Sequence, residues 1–207
     1  LGTIRRGGIS KITIISNEHI GQIAKHVGQS LEGEQIHYVL EENPLGVAEA
    51  LSLARPYNEN CRLLVYFSDN ITTVEFDDLI ADFMDQNEPP GCILLAREEV
   101  NPHAFGVAVL DDDGTLLDVV EKPETPPSNL AIGGIYLYDE TFWEKFDSAV
   151  AERGTDFSIS DINRAYITEK NARLVSVGKD TWVDCGTPET LLEASIMAKD
   201  GKLNPNP

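Results

Sequence analysis

Apolar positions follow two alternating rhythms up to about residue 100 and a different one beyond it. Lys11 to Ser16 is a short β-branched run that predicts a buried strand. Ile20, Ile23, Ala24, Val27 and Leu31 then recur at helical spacing. Gln35 to Leu40 predicts a second strand, and Val47 to Ala54 a short helix entered through Pro44-Leu45-Gly46. Arg62 to Phe67 is the most strand-like run and ends at Ser68-Asp69-Asn70. A helix over Phe76 to Phe83 and a strand over Cys92 to Ala96 continue the pattern. Strand alternating with helix implies a doubly wound, mainly parallel α/β sheet with helices on both faces.

Past residue 100 the rhythm becomes that of a hairpin. Phe105 to Leu110 and Leu116 to Val120 flank the turn Asp111-Asp112-Asp113-Gly114. Ala131 to Tyr138 predicts a strand, residues 140–151 and 159–169 helices, and Arg173 to Val177 a strand. Trp182 to Cys185 is short and extended, and Pro188 to Lys199 helical. Phe142, Trp143 and Phe146 share a helical face and predict core or a subunit contact. The pattern reads as one domain with a mixed sheet over residues 1–200 and a loose tail at 201–207. The opening Leu-Gly-Thr-Ile-Arg-Arg-Gly-Gly reads as a helix end, with Arg5 and Arg6 at the negative pole and glycines as the cap. A helix represented by its last turn leads us to expect residues upstream of Leu1.

Charge narrows the function. The chain carries 35 acidic against 16 basic residues, a formal net charge of −19. Nucleic acid is disfavoured as a partner, because a polyanion would be repelled. No apolar run approaches the ~20 residues of a membrane span. Three scattered cysteines, Cys61, Cys92 and Cys185, suit reduced thiols and a cytoplasmic location better than a disulfide framework.

In open α/β sheets, ligands sit beyond the carboxyl ends of strands. Asp69 follows the strongest strand, and Asp184 follows another extended run before Gly186. Two carboxylates converging from separate strand ends suit Mg²⁺, which takes one or two carboxylates, waters and substrate phosphates. Each aspartate could equally cap a turn or helix. Glu121-Lys122-Pro123 ends the hairpin, offering a fixed cation for a phosphate and an acceptor for sugar hydroxyls, or simply an exposed turn. Gly46, Gly106, Gly133 and Gly134 allow close backbone approach, or serve turns.

Six short motifs fall in one order: Glu42-Asn43-Pro44-Leu45-Gly46-Val47-Ala48; Ser68-Asp69-Asn70; Phe105-Gly106-Val107; Glu121-Lys122-Pro123; Gly133-Gly134-Ile135-Tyr136; Trp182-Val183-Asp184-Cys185-Gly186-Thr187. Together they resemble the sugar-1-phosphate nucleotidyltransferases, most of all the glucose-1-phosphate thymidylyltransferase type, over residues 1 to about 200. The resemblance implies a Rossmann-like nucleotidyltransferase fold and Mg²⁺ held by Asp69 and Asp184. It implies a nucleoside triphosphate, dTTP by type, against Pro44, Gly46 and Val47, with Asn70 beside it. It implies glucose 1-phosphate bound through Lys122 at the phosphate and Glu121 at the hydroxyls, in a pocket lined by Gly106, Gly134 and Tyr136. Arg153 would serve the phosphate side, on a looser match. Asp69, Lys122 and Arg153 are the expected catalytic set, and a homo-oligomer the expected assembly.

The departures are specific. Ser68 stands where the family usually has Gly, and Glu41-Glu42-Asn43 replaces the Gln frequent before the Pro-x-Gly stretch, leaving base choice open. No residues here match the family's first strand and Gly-rich loop with its Arg. We expect an N-terminally incomplete stretch of an active enzyme, inactive without that loop. The alternative is a catalytically inactive sugar-nucleotide-binding or regulatory homologue. A dinucleotide-dependent oxidoreductase would need G-x-G-x-x-G, which does not occur. Asp111-Asp112-Asp113 spells the D-x-D string of a glycosyltransferase, but in a turn context.

Overall fold

A computed structural model describes residue 4 and residues 7–28, 33–85, 89–154 and 156–203. Its elements are β1 (Lys11–Ser16), α1 (Ile20–Val27), β2 (Gln35–Leu40), α2 (Val47–Asn58), β3 (Leu63–Tyr66), β4 (Asn70–Thr72) and α3 (Asp77–Met84). Then come β5 (Cys92–Glu98), a single 3₁₀ turn at Pro102–Ala104, β6 (Gly106–Leu110), β7 (Leu116–Glu121) and β8 (Leu130–Tyr138). The chain continues through α4 (Phe142–Arg153), α5 (Ile159–Thr168), β9 (Ala172–Ser176), β10 (Trp182–Asp184) and α6 (Pro188–Lys199).

The fold is mixed α/β, as the alternation predicts. Its main sheet runs β7-β6-β8-β5-β9, and β3 pairs with the far end of β8. Strands β3, β5 and β6 all run antiparallel to β8, and β9 runs parallel to β5. β8 is nine residues long, so β3 and β6 share one of its edges, at residues 135–138 and 131–132.

Side chains of β5 and β8 alternate between two cores, as the pleat demands. Leu94, Tyr136 and Tyr138 join Phe142, Phe146, Ile162 and Tyr166 of α4 and α5 on one face. Ile93, Leu95, Ile135 and Leu137 join Phe76, Phe83 and Trp182 on the other. A strand covered on both faces needs a continuous apolar run, which is why Cys-Ile-Leu-Leu-Ala carries no polar residue. The predicted aromatic face of α4 is core: Phe142, Trp143 and Phe146 are all buried.

Two outlying pairs complete the architecture. β1 and β2 pair in parallel, and β10 pairs antiparallel with β4, setting Asp184 opposite Asn70. The expectation of a buried strand at Lys11–Ser16 is corrected: β1 is half-exposed along its length. Its only strand partner among the described residues is β2, and it is tied to α2 by Lys11 Nζ donating to the Tyr57 carbonyl and by Asn58 Nδ2 donating to Thr13 Oγ1.

Helix α2 runs past the predicted Ala54, through Pro56. A proline in the last turn removes one intrahelical bond rather than several, and Asn58 Nδ2 meets the Ala54 carbonyl at 2.8 Å. β4 had no periodic signal because it is three residues long. Of the predicted helix end at the start, Ile4 is helical and Gly7-Gly8 form a turn with Gly8 at φ +78°. Leu1, Arg5, Arg6 and Leu31 lie outside the described residues.

Candidate active site

An open cleft of about 330 Å³ sits beside the ends of β3, β7 and β10, the start of β6 and the middle of β8. Val47, Asp69, Asn70, Gly106, Glu121, Gly134, Tyr136 and Asp184, all singled out from the sequence, line it. Among the described residues its charged lining is Asp69, Glu121 and Asp184, all acidic.

Asp69 and Asp184 are 115 residues apart in number and meet at one end. The register of β4 against β10 sets Asn70 opposite Asp184, and the Cys185 amide donates to the Asp69 carbonyl at 2.7 Å. A Cβ placed on Gly186 would lie 3.0 Å from Asp184 Oδ1 and 3.9 Å from Asp69 Oδ2. Glycine at 186 thus keeps open the space both carboxylates face. Neither aspartate forms an ion pair with a described residue. Burial, then the charges of Asp184 and Asp69, raise the pKa of the neighbouring Cys185 thiol. Described residues contain no group of three or more His, Cys, Asp or Glu able to hold a metal. Two carboxylates facing one space match the donor set of an ion that takes few protein oxygens and completes its shell from water and phosphate.

Glu121 marks the other end. Ser160 Oγ, buried at the start of α5, donates to Glu121 Oε2 at 2.7 Å. Arg164 fastens α5 to β7, bonding Asp118 Oδ1, Asp161 Oδ1 and the Val119 carbonyl, each at 3.0 Å. A Cβ on Gly106 would press on Val119, Glu121 and Ser160 at 3.1 to 3.3 Å, so glycine there preserves the seat of the Glu121 carboxylate. Tyr136 forms the apolar floor. Its burial, with Glu121 and Asp69 nearby, raises the pKa of its hydroxyl, so the group stays protonated. Phe157, Ser158 and Ile159 bring the first turn of α5 into the cleft. The sequence reading missed Ser158 and Ser160. The signal available was Ser158 three residues before Asp161, a capping pair in which the Ser158 amide donates to Asp161 Oδ2 at 2.9 Å.

Four expected site residues stand outside the lining. Lys122 follows Glu121 at the rim, exposed, with φ +45° and its amide donating to the Phe105 carbonyl at 2.9 Å. A positive φ is unusual for lysine. Arg153, also exposed, lies 3.5 Å from Asp161. Pro44 and Gly46 are exposed ahead of α2, where Gly46 at φ +110° and ψ −174° turns the chain so that Val47 enters the cleft. The Asp111 string is turn chemistry, with Asp111 Oδ1 accepting from the amides of Asp113 and Thr115.

Residues 1–201 match the family model described as nucleotidyl transferase. The chain is 29% identical over 202 residues to a low-salt glycan biosynthesis nucleotidyltransferase of Haloferax volcanii, covering 96% of this chain and 56% of that protein. It is 31% identical over 204 residues to a glucose-1-phosphate thymidylyltransferase of Streptomyces antibioticus, covering 94% and 55%. It thus spans about half the length of these relatives. A Bacillus anthracis crystal structure assigned to glucose-1-phosphate thymidylyltransferase, in complex with sucrose, superposes with a TM-score of 0.85 at 28% identity, over 96% of this chain and 80% of that one. A UDP-glucose pyrophosphorylase complexed with UDP-glucose shares the fold at 18% identity and a TM-score of 0.80, over 97% of this chain and 84% of that one. With its cleft built at the ends of a mixed Rossmann-like sheet, the chain belongs to the nucleotidyl transferase family.

Proposed function

We propose that the protein containing this chain joins a nucleoside triphosphate to a sugar 1-phosphate, giving a nucleoside-diphosphate sugar and pyrophosphate. The observation that carries this reading is the meeting of Asp69 and Asp184 at one end of a cleft whose other end presents Glu121. A sugar-phosphate oxygen forms a bond to the α-phosphorus while the bond from that phosphorus to the bridging oxygen breaks. The electron pair leaves with pyrophosphate. No covalent enzyme intermediate is required, so the protein's work is alignment and neutralisation.

Asp69 and Asp184 would hold Mg²⁺, which supplies positive charge to the phosphates. Glu121, fixed by Ser160, accepts hydroxyl hydrogens of the sugar. The acidic lining suits a neutral sugar ring, with negative charge confined to its phosphate. Lys122 meets that phosphate from the rim, where it follows Glu121 and is exposed. Arg153, at the end of α4 and 3.5 Å from Asp161, assists at the phosphate. Val47, with Pro44 and Gly46 ahead of it, faces the base. The glucose-1-phosphate thymidylyltransferases among the relatives point to thymidine triphosphate and glucose 1-phosphate as the pair. Residues 1–200 act as one unit of a cytoplasmic homo-oligomer.

Pyrophosphate release by the complete protein tests this, with a panel of triphosphates and sugar phosphates. Release that needs both substrates and Mg²⁺, fastest with the thymidine and glucose pair, is expected. Tight binding of a nucleotide sugar without release in any combination would overturn it in favour of a non-catalytic binding homologue.

A further inference from the structure

Trp182 sits at the start of β10, two residues before Asp184, and its ring is packed in the core beneath the sheet. Its Nε1 donates to Asn70 Oδ1 at 2.7 Å, a contact buried from solvent. The Asn70 amide in turn donates from Nδ2 to Asp69 Oδ1 at 2.7 Å and to the Phe67 carbonyl at 3.2 Å. The chemistry of the partners fixes this order. An indole N–H can only donate and an ionised carboxylate can only accept, so an amide between them has one satisfying orientation. Rotated by half a turn, Asn70 would set its oxygen against Asp69 and its NH₂ against the indole N–H.

The room for this chain of bonds is cut into β8. A Cβ on Gly133 would lie 2.0 Å from the Trp182 ring, and one on Gly134 would lie 2.7 Å from Asn70 Nδ2 and 2.8 Å from Phe67 Cβ. The paired glycines therefore seat the relay. Its effect falls on one carboxylate. Asp69 Oδ1 is occupied by Asn70, while Oδ2 is the oxygen turned toward Gly186 and Asp184.

We propose that Trp182 is a positioning residue which, through Asn70, locks the Asp69 carboxylate so that a single oxygen is presented to the divalent cation. This rests on the reading of Asp69 and Asp184 as the cation's holders. Groups that orient a ligand through a hydrogen bond matter for metal affinity by about 10- to 100-fold where that has been tested.

The test measures Mn²⁺ binding by electron paramagnetic resonance, in the complete protein with thymidine triphosphate present. Trp182→Phe keeps an aromatic ring and deletes the donor. A second form carries the benzothiophene isostere of tryptophan, incorporated at position 182 alone, and deletes the N–H at constant shape. Both are expected to weaken Mn²⁺ by about tenfold, with KM for the sugar phosphate within about twofold, because Glu121 and Ser160 are untouched. Native Mn²⁺ affinity in the isosteric form overturns the relay, however Trp182→Phe behaves. Asp69→Asn and Asp184→Asn are measured alongside. If they too leave Mn²⁺ binding unchanged, the cation reading itself fails. If they abolish binding while the isostere does not alter it, only the relay fails.

Discussion

The two ends of the cleft are built differently. At the acid end, Asp69 and Asp184 are fixed by sheet register, by the Cys185 amide on the Asp69 carbonyl and by the buried Asn70–Trp182 contact. At the other end, Glu121 is anchored by buried Ser160, but the cations Lys122 and Arg153 project from exposed positions outside the lining. The difference is one of desolvation. Carboxylates held in place by backbone pairing can be gathered without side-chain entropy being lost at binding. Under the proposed reading, long cationic side chains would stay in water until a phosphate draws them in, beside a lining that is acidic among the described residues.

That contrast orders the expected losses. Asp69→Ala removes a proposed cation ligand from the rigid end, and turnover of the complete protein should fall by roughly 10³-fold, with melting temperature little changed. A milder loss than that of Lys122→Ala would reverse the comparison. Lys122→Ala should cost on the order of 10²-fold, because its charge meets the phosphate only when substrate is bound. Raising ionic strength should shrink this difference more than that at Asp69, since the rim is open to counterions. Arg153→Ala should cost least, within a few-fold. Its guanidinium is half-exposed and lies 3.5 Å from Asp161, a pairing of small energy in water. A loss at Arg153 equal to that at Lys122 would mean the two cations act as one clamp.

Much of the acid end was legible in the sequence, and for a physical reason. Strand-end aspartates are placed by backbone geometry, so knowing that Arg62–Phe67 and Trp182–Cys185 are extended already brings Asp69 and Asp184 toward the carboxyl ends of strands. Their meeting beside Gly186 depends on β4, a three-residue strand too short to show a period. Ser160 was illegible because its importance lies in one bond to Glu121, 39 positions away. Trp182 could be recognised as part of a motif, but not as the donor to Asn70, since that contact exists only once β4 and β10 pair.

Burial was legible where a strand is covered on both faces and misleading where it is not. Both runs are β-prone, but β1 carries Lys11, Thr13 and Ser16 where β5 is unbroken from Cys92 to Ala96. β5 lies between two cores with Cys92 to Ala96 inaccessible to solvent, whereas among the described residues β1 pairs with β2, is tied to α2 and is half-exposed. Hydrophobic pattern reports what a strand can tolerate being covered by. The number of neighbours is a property of topology.

In the proposed reaction Asp69 and Asp184 share one cation. Crystals of the complete protein grown with Mn²⁺ and a thymidine nucleotide sugar would test this by anomalous scattering at the manganese edge. The predicted result is a single peak about 2.0–2.3 Å from Asp69 Oδ2 and from an Asp184 oxygen. A peak bound to phosphate alone and remote from both carboxylates, or one at Glu121, would contradict it.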